Sequence, residues 1–256
     1  STGDSTFNGL AATANMGAIT GAVALTVAGT STFTTSASNQ SITLSSVSND
    51  FTGAINFNTN GSSANTTLAT NSSITLGAST IGGDQSVTVG GTNEAMNISG
   101  VQDVGGRITL QSSGDLTLTS SLASSSSSNS AISLTSTSGG IFDGDSDGSI
   151  DIEAANGGLV VVSNGGFGTS ANSIETTLRF IDLSNSFAGD INIYESDGMD
   201  ISNLTQNAGG KDITLSYFGS LVGRNLVTLP DGSLGTIIFK QRKPVAVALV
   251  DQMIEG

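Results

Sequence analysis

A short pattern, in which two apolar residues flank a Thr, Ser, Asn or Asp, recurs along most of the chain. Each copy alternates with the two-residue period of a β-strand that buries one face, and no segment shows the period of an amphipathic helix. The copies therefore predict an all-β protein built from short strands. They occupy residues 25–27, 42–44, 55–57, 74–76, 87–89, 96–98, 108–110, 116–118, 132–134, 150–152, 191–193 and 213–215.

Two fold classes accept this spacing: a parallel β-solenoid, whose strands stack one coil above the next, and an antiparallel β-sandwich. Two-residue hairpin loops prefer Asn-Gly or Asp-Gly. Many connections here are instead runs of Ser, Thr and Asn, such as residues 124–130, which suit stacked polar ladders. The sequence therefore favours a right-handed parallel β-solenoid, with the antiparallel β-sandwich as the alternative.

A longer internal match supports a repeat. Residues 42–57 align without a gap on residues 178–193, and both contain Ser-Asn-x-Phe-x-Gly. We expect Asn and Gly to allow a left-handed turn, and Phe51 and Phe187 to fill the corner between two faces. The alternative is an ordinary β-turn that recurs in a chain rich in Ser and Asn.

Residues 48–54 (SNDFTGA), together with 24–34 (ALTVAGTSTFT) and 76–81 (LGASTI), resemble the β-strand repeats of filamentous-haemagglutinin-like bacterial surface proteins. The resemblance is closest over residues 18–90 and extends to about residue 222. It implies a right-handed β-solenoid that is exported and serves in adhesion or in an extracellular fibre. The chain departs from the family in being much shorter, and its tail does not resemble the repeats.

The pattern changes near residue 223, which predicts a solenoid body over residues 1–222 and a distinct segment over residues 223–256. The segment contains both prolines and a group of basic residues between two apolar runs. One interpretation is a cap that protects an open sheet edge; the other is an assembly strand that docks head to tail on a second copy. The candidate assembly residues are Ile237, Phe239, Lys240, Arg242, Lys243, Val245, Val247 and Leu249.

Charge and missing residue types exclude several functions. The chain has 21 acidic and 7 basic residues, a formal net charge of −14, so it lacks the positive charge that binds nucleic acid. It has no Cys and no His, which excludes thiol nucleophiles, serine triads and most transition-metal sites. No stretch approaches the length of a membrane span. Since no acid pair stands with a base in a recognisable arrangement, we expect no enzymatic activity.

The densest candidate site is an acidic loop that follows the opening of a calcium-binding loop, Asp-x-Asp-x-Asp-Gly-x-Ile. Alternate carboxylates can converge on a hard cation, although Ala154 stands where an EF-hand loop has a bidentate Glu. The alternative is a solvated acidic turn, and residues 195–200 form a second, weaker candidate. The predicted calcium ligands are Asp143, Asp145, Asp147, Ser149 and Asp151.

These features predict a non-catalytic structural protein at a bacterial cell surface or outside the cell. It would act as an adhesin or a self-assembling fibre subunit, with another copy of itself or surface glycans as partners. The alternative is a calcium-dependent β-helix that binds or cleaves carbohydrate. Flat polar faces with complementary ends would favour the first function, and a groove lined by aromatic rings and paired carboxylates would favour the second.

Overall fold

The computed structural model describes residues 5–223 and 235–242. This part of the chain consists of short strands joined by turns and contains no helix, and therefore no helix that could span a membrane. The strands are β1 (Ser5–Phe7), β2 (Leu10–Ala14), β3 (Ile19–Gly21), β4 (Leu25–Val27), β5 (Ser31–Thr35), β6 (Ile42–Leu44), β7 (Asp50–Phe51), β8 (Ile55–Asn58), β9 (Thr66–Thr70), β10 (Ile74–Leu76), β11 (Ser79–Ile81), β12 (Gln85–Val89), β13 (Met96–Ile98), β14 (Gln102–Val104), β15 (Ile108–Ser112), β16 (Leu116–Leu118), β17 (Leu122–Ser124), β18 (Ile132–Ser136), β19 (Ile141–Asp143), β20 (Ile152–Ser163), β21 (Ile174–Asn185), β22 (Ile191–Glu195), β23 (Gly198–Gln206), β24 (Ile213–Tyr217), β25 (Ser220–Gly223) and β26 (Ile237–Gln241).

The described strands pair in parallel, each with the equivalent strand of the neighbouring coil. Strand β5, for example, pairs with β2 on one side and with β8 on the other. The result is a parallel β-solenoid of about ten turns, so the predicted solenoid is confirmed and the antiparallel β-sandwich is excluded.

The core is a set of aliphatic stacks that run along the solenoid axis. In most strands alternate residues point inward, as the sequence pattern predicts, and stack on the equivalent residue of the next coil. The copy predicted at residues 150–152 is an exception, because β20 begins at Ile152 and Asp151 is buried. Complete burial of an aliphatic side chain contributes about 1.5–3 kcal/mol, so the stacks hold the coils together. One of them consists of Ile108, Ile132, Leu159, Ile181 and Ile201, each no more than 1% exposed.

Polar side chains also join neighbouring coils. Inside the solenoid, Gln85 Nε2 donates to Gln102 Oε1 at 2.8 Å. At one corner, Asn65 Oδ1 accepts a hydrogen bond from the backbone N–H of Asp84, and Asp84 Oδ1 accepts one from that of Arg107, both at 2.8 Å. The buried glutamines need such partners. At the exposed corner the bonds instead link the side chain of one coil to the backbone of the next.

The pattern has one long gap, between residues 152 and 191, which the structure fills with two twelve-residue strands, β20 and β21. The triplet pattern does not identify β20, because Val160, Val161 and Val162 are consecutive apolar residues, whereas β21 includes the first residues of the internal match over residues 178–193. Val161 is buried, whereas Val162 is 46% exposed. The solenoid therefore continues through this segment, with a shift of register between Ala154 and Gly158.

The internal repeat is only partly equivalent in space. Phe51 lies in β7 and packs edge to face against Phe33 at a centroid distance of 6.2 Å, whereas Phe187 lies in a bend and is 82% exposed. The prediction that both rings fill a corner is therefore correct for Phe51 and wrong for Phe187. Asn49 and Asn185 are both buried, and both donate side-chain hydrogen bonds to backbone carbonyls.

The left-handed backbone expected in both copies occurs once, at Gly189, where φ is 71°. Gly53 does not adopt positive φ, and neither do Asn49 and Asn185. A Cβ atom on Gly53 would instead overlap the backbone of Gly29 in the neighbouring coil. Close approach of two coils, and not turn geometry, is thus the reason for glycine at that position.

Candidate metal centre and C-terminal strand

The acidic loop lies between β19 and β20. Asp143 ends β19 and pairs with Leu118 of the preceding coil, and Asp151 immediately precedes β20. Between them the chain uses left-handed backbone at Ser146, with φ of 56°, and at Gly148, with φ of 71°. These two turns bring the ends of the loop back to one side of the solenoid.

Hydrogen bonds between residues close in sequence fix the orientation of the loop's carboxylates. Asp143 Oδ1 accepts from the backbone N–H groups of Asp145 and Ser146, at 2.9 and 3.3 Å. Asp147 Oδ1 accepts from the backbone N–H of Ser149 at 2.6 Å. Asp residues commonly order turns in this way, so these bonds explain the loop conformation without a ligand.

Three of the five predicted ligands converge. One carboxylate oxygen from each of Asp143, Asp145 and Asp151 lies within 4.8 Å of the others. Asp151 is only 4% exposed, whereas Asp145 is exposed. Asp147 lies outside this group, although with Ser149 it lines a cavity of about 190 Å³ that Asp145 and Asp151 line as well.

A fourth acid, Glu175, which the sequence did not single out, lies beside Asp151 in the next coil, outside the group of three oxygens that lie within 4.8 Å of one another. The backbone N–H of Glu175 donates to Asp151 Oδ2 at 3.0 Å, and the backbone N–H of Asp151 donates to the Glu175 carbonyl oxygen at the same distance. The register that pairs Ile152 with Thr176 places these two acids side by side. Asp151 and Glu175 are 24 residues apart in the sequence, so their proximity could have been predicted only from the length of the coil that separates them.

Two carboxylate oxygens at this site are shielded from solvent and accept no hydrogen bond: Oδ2 of Asp143 and Oε2 of Glu175. Buried carboxylate oxygens normally have donors. The single ion pair in the described ranges joins Arg107 and Asp84 at 3.5 Å, so no described base neutralises the group.

The electrostatics follow from burial. Loss of solvation raises the pKa of Asp151 to about 8, and the nearby negative charges of Asp143 and Glu175 add to that rise. Burial likewise raises the pKa of Glu175. A group of carboxylates that resists ionisation in this way favours a proton or a cation.

The second acidic segment, residues 195–200, is built differently. Glu195 is fully buried, and its carboxylate accepts hydrogen bonds from Thr176 Oγ1 at 2.7 Å and from the Leu178 backbone N–H at 3.3 Å. Burial raises its pKa to about 8. Asp197 and Asp200 line a separate cavity of about 490 Å³ together with Arg179.

The C-terminal strand β26 stacks on β24, pairing Ile237 with Ile213 and Phe239 with Leu215. Ile237 is 38% exposed and Phe239 is 40% exposed; Lys240 and Arg242 are exposed as well. Four of the eight candidate assembly residues are thus gathered at this strand and its flank. The other four, Lys243, Val245, Val247 and Leu249, lie outside the described residues, and the boundary at residue 223 stays a prediction.

Residues 1–58 match a protein family described as repeats of unknown function (DUF5649). No curated protein matches the chain, and no solved structure matches it. Fold and comparison together define a parallel β-solenoid whose first 58 residues are similar to repeats of that family.

Proposed function

We propose that this chain is a non-catalytic structural protein of a bacterial cell surface, acting outside the cell as an adhesin or a fibre subunit. The resemblance to filamentous-haemagglutinin-like repeats motivates this proposal. The observation that supports it best is the stacking of parallel coils along the described body, because about ten turns at 4.8 Å each form a rod about 50 Å long.

One outward face of the rod carries a row of hydroxyl groups. The residues in this row occupy equivalent positions in six successive coils, and each is exposed or half-buried. Side chains spaced by one strand separation offer a repeated set of weak hydrogen bonds, which suits multivalent contact with glycans. The row consists of Thr20, Thr43, Thr67, Ser86, Thr109 and Ser133.

The C-terminal strand supports the fibre form of the proposal. Ile237 and Phe239 are apolar side chains that β26 leaves partly exposed, next to the basic residues Lys240 and Arg242. A second copy of this acidic chain would bury the apolar pair and meet the basic flank with opposite charge. Head-to-tail contact of this kind does not close on itself and produces a filament.

Electron microscopy of the purified chain, with calcium and with a chelator, combined with a glycan-binding assay, tests the proposal. Filaments that repeat at about one rod length support the fibre form, and Phe239→Asp should abolish them while Phe187→Asp, in the body, should not. Isolated rods that bind glycans support the adhesin form. In the adhesin form, Thr67→Lys should abolish glycan binding, and Thr117→Lys, on another face, should retain glycan binding. Isolated rods without glycan binding would overturn both forms.

A second candidate function is carbohydrate binding in the 490 Å³ cavity, which brings Arg179 near Asp197 and Asp200. A carboxylate pair beside a base suits recognition of sugar hydroxyls or acidic sugars. The described residues that line this cavity include no aromatic ring, however, so it lacks the stacking surface on which sugar rings commonly pack. Loss of glycan binding in Arg179→Ala, with Thr67→Lys unaffected, would favour this candidate over the hydroxyl row.

A further inference from the structure

Several buried polar groups occur along the solenoid, and the structure accounts for most of them. Gln85 bonds to Gln102, and Glu195 accepts hydrogen bonds from Thr176 and Leu178. Six buried side-chain atoms of the described residues have no hydrogen-bond partner, and the carboxylate oxygens among them both lie at the acidic loop: Oδ2 of Asp143 and, from β21 beside it, Oε2 of Glu175. Neither atom accepts any of the turn-forming hydrogen bonds within the loop, so those bonds do not supply the missing partners.

We propose that Asp143, Asp145 and Asp151, with Glu175 from the next coil, hold one calcium ion that fastens the acidic loop to the solenoid body. This site does not depend on the proposed adhesin or fibre function. It changes the ligand set expected from the sequence, because Glu175 enters and Asp147 and Ser149 are not required.

The geometry fits a calcium ion. Calcium binds six to eight oxygens at about 2.3–2.6 Å, so oxygens on opposite sides of the ion lie about 4.6–5.2 Å apart. The oxygens of Asp143, Asp145 and Asp151 lie within 4.8 Å of one another and can share one ion with little movement. Magnesium requires distances near 2.1 Å and gives up its water reluctantly, so it suits this group less well.

The donor set also fits. All four side chains offer carboxylate oxygens, the ligands of hard cations. An ion among the three aspartates would give the buried oxygen of Asp143 the partner it lacks, and Glu175, which lies outside that group, would reach the ion by a rotation of its side chain. Asp145 is exposed, which leaves a route for the ion and for water ligands.

The site lies where such a bond has a mechanical effect. Asp143 and Asp145 belong to β19 and the loop, Asp151 precedes β20, and Glu175 lies in β21. One ion would therefore link the loop to two successive coils. Bound calcium should slow local opening of residues 144–150 and of the strand ends beside them.

Isothermal titration calorimetry of the full chain with calcium chloride, and separately with magnesium chloride, tests the proposal. We expect one calcium per chain and at least tenfold weaker binding of magnesium. Asp143→Asn and Glu175→Gln should each weaken calcium binding about tenfold or more, as loss of a supporting group at a metal site does. Glu153→Gln is the matched control, because Glu153 is exposed and follows Asp151 by two residues, so the charge change is the same.

Hydrogen exchange of the wild-type chain, with calcium and with a chelator, keeps the proposal testable if a variant does not fold. Calcium should protect residues 144–151 and 175. No binding at millimolar calcium, protection elsewhere only, or unchanged affinity in folded Asp143→Asn would overturn the site. Unchanged affinity in folded Glu175→Gln would remove Glu175 from it, and equal magnesium affinity would overturn the choice of calcium.

Discussion

Replacement of Phe51 and Phe187 by alanine compares two residues that the sequence aligns and the structure separates. Phe51 is 1% exposed and packs against Phe33, whereas Phe187 is 82% exposed. Truncation of a buried Phe costs about 3–5 kcal/mol, which includes about 0.5–1.5 kcal/mol for the edge-to-face contact. For Phe51→Ala we therefore expect a loss of about 4 kcal/mol, or a fall in melting temperature of about 8–16 °C for a chain of this size. Phe187→Ala should change stability by less than about 0.5 kcal/mol.

Urea denaturation followed by far-UV circular dichroism measures both variants against the wild-type chain. Because a coil contacts only its neighbours, the loss in Phe51→Ala should fall on nearby coils, and hydrogen exchange should show faster opening around Phe33 and Phe57 than in the coils near Phe187. If the two variants lost the same stability, or if Phe51→Ala lost less than about 1 kcal/mol, the assigned packing of the N-terminal corner would be refuted.

Two further predictions concern the backbone and a buried acid. Gly189→Ala should lose several kcal/mol in thermal or urea unfolding, because the residue has φ of 71° and a Cβ atom there would overlap the Gly165 carbonyl oxygen. Gly210→Ala, with similar φ but nothing within 4 Å of the Cβ position, should lose only about 1 kcal/mol; equal losses would contradict the overlap. Since burial raises the pKa of Glu195 to about 8 in the folded chain, the folded chain binds the extra proton, and stability should fall as pH rises from about 4.5 to 8, by up to about 1.4 kcal/mol per pH unit. Glu195→Gln should remove this contribution, so that the urea midpoints of the variant and the wild-type chain diverge between pH 5 and pH 8. If the two midpoints changed with pH in parallel, Glu195 would not be the source of the pH dependence.

Much of the fold could be predicted because strand alternation is local. In Ile42-Thr43-Leu44 the outer residues point inward and the middle one outward whatever the rest of the chain does, and both outer residues are buried as expected. The acidic loop could also be predicted, because its carboxylates are closely spaced in the sequence. The same reasoning missed β20, where Val160, Val161 and Val162 place apolar residues on both faces of the strand, and it reached β21 only through the internal match over residues 178–193.

The remaining features depend on coil length, which a turn can alter without changing the strand pattern. The distance between stacked positions is 20 residues from Met96 to Leu116 but 25 residues from Leu116 to Ile141. A difference of a few residues changes which side chains become neighbours in adjacent coils, so no fixed period could pair Asp151 with Glu175.

The sequence by itself determined an all-β chain of short strands, an inward set of Ile, Leu and Val, and a loop dense in carboxylates. Only the tertiary structure decided that Glu175 stands beside Asp151, that Phe51 is buried while Phe187 faces solvent, and that Asp147 lies outside the carboxylate group. The physical reason is that alternation is set by the backbone geometry of each strand, whereas contacts between coils are set by the number of residues each turn inserts.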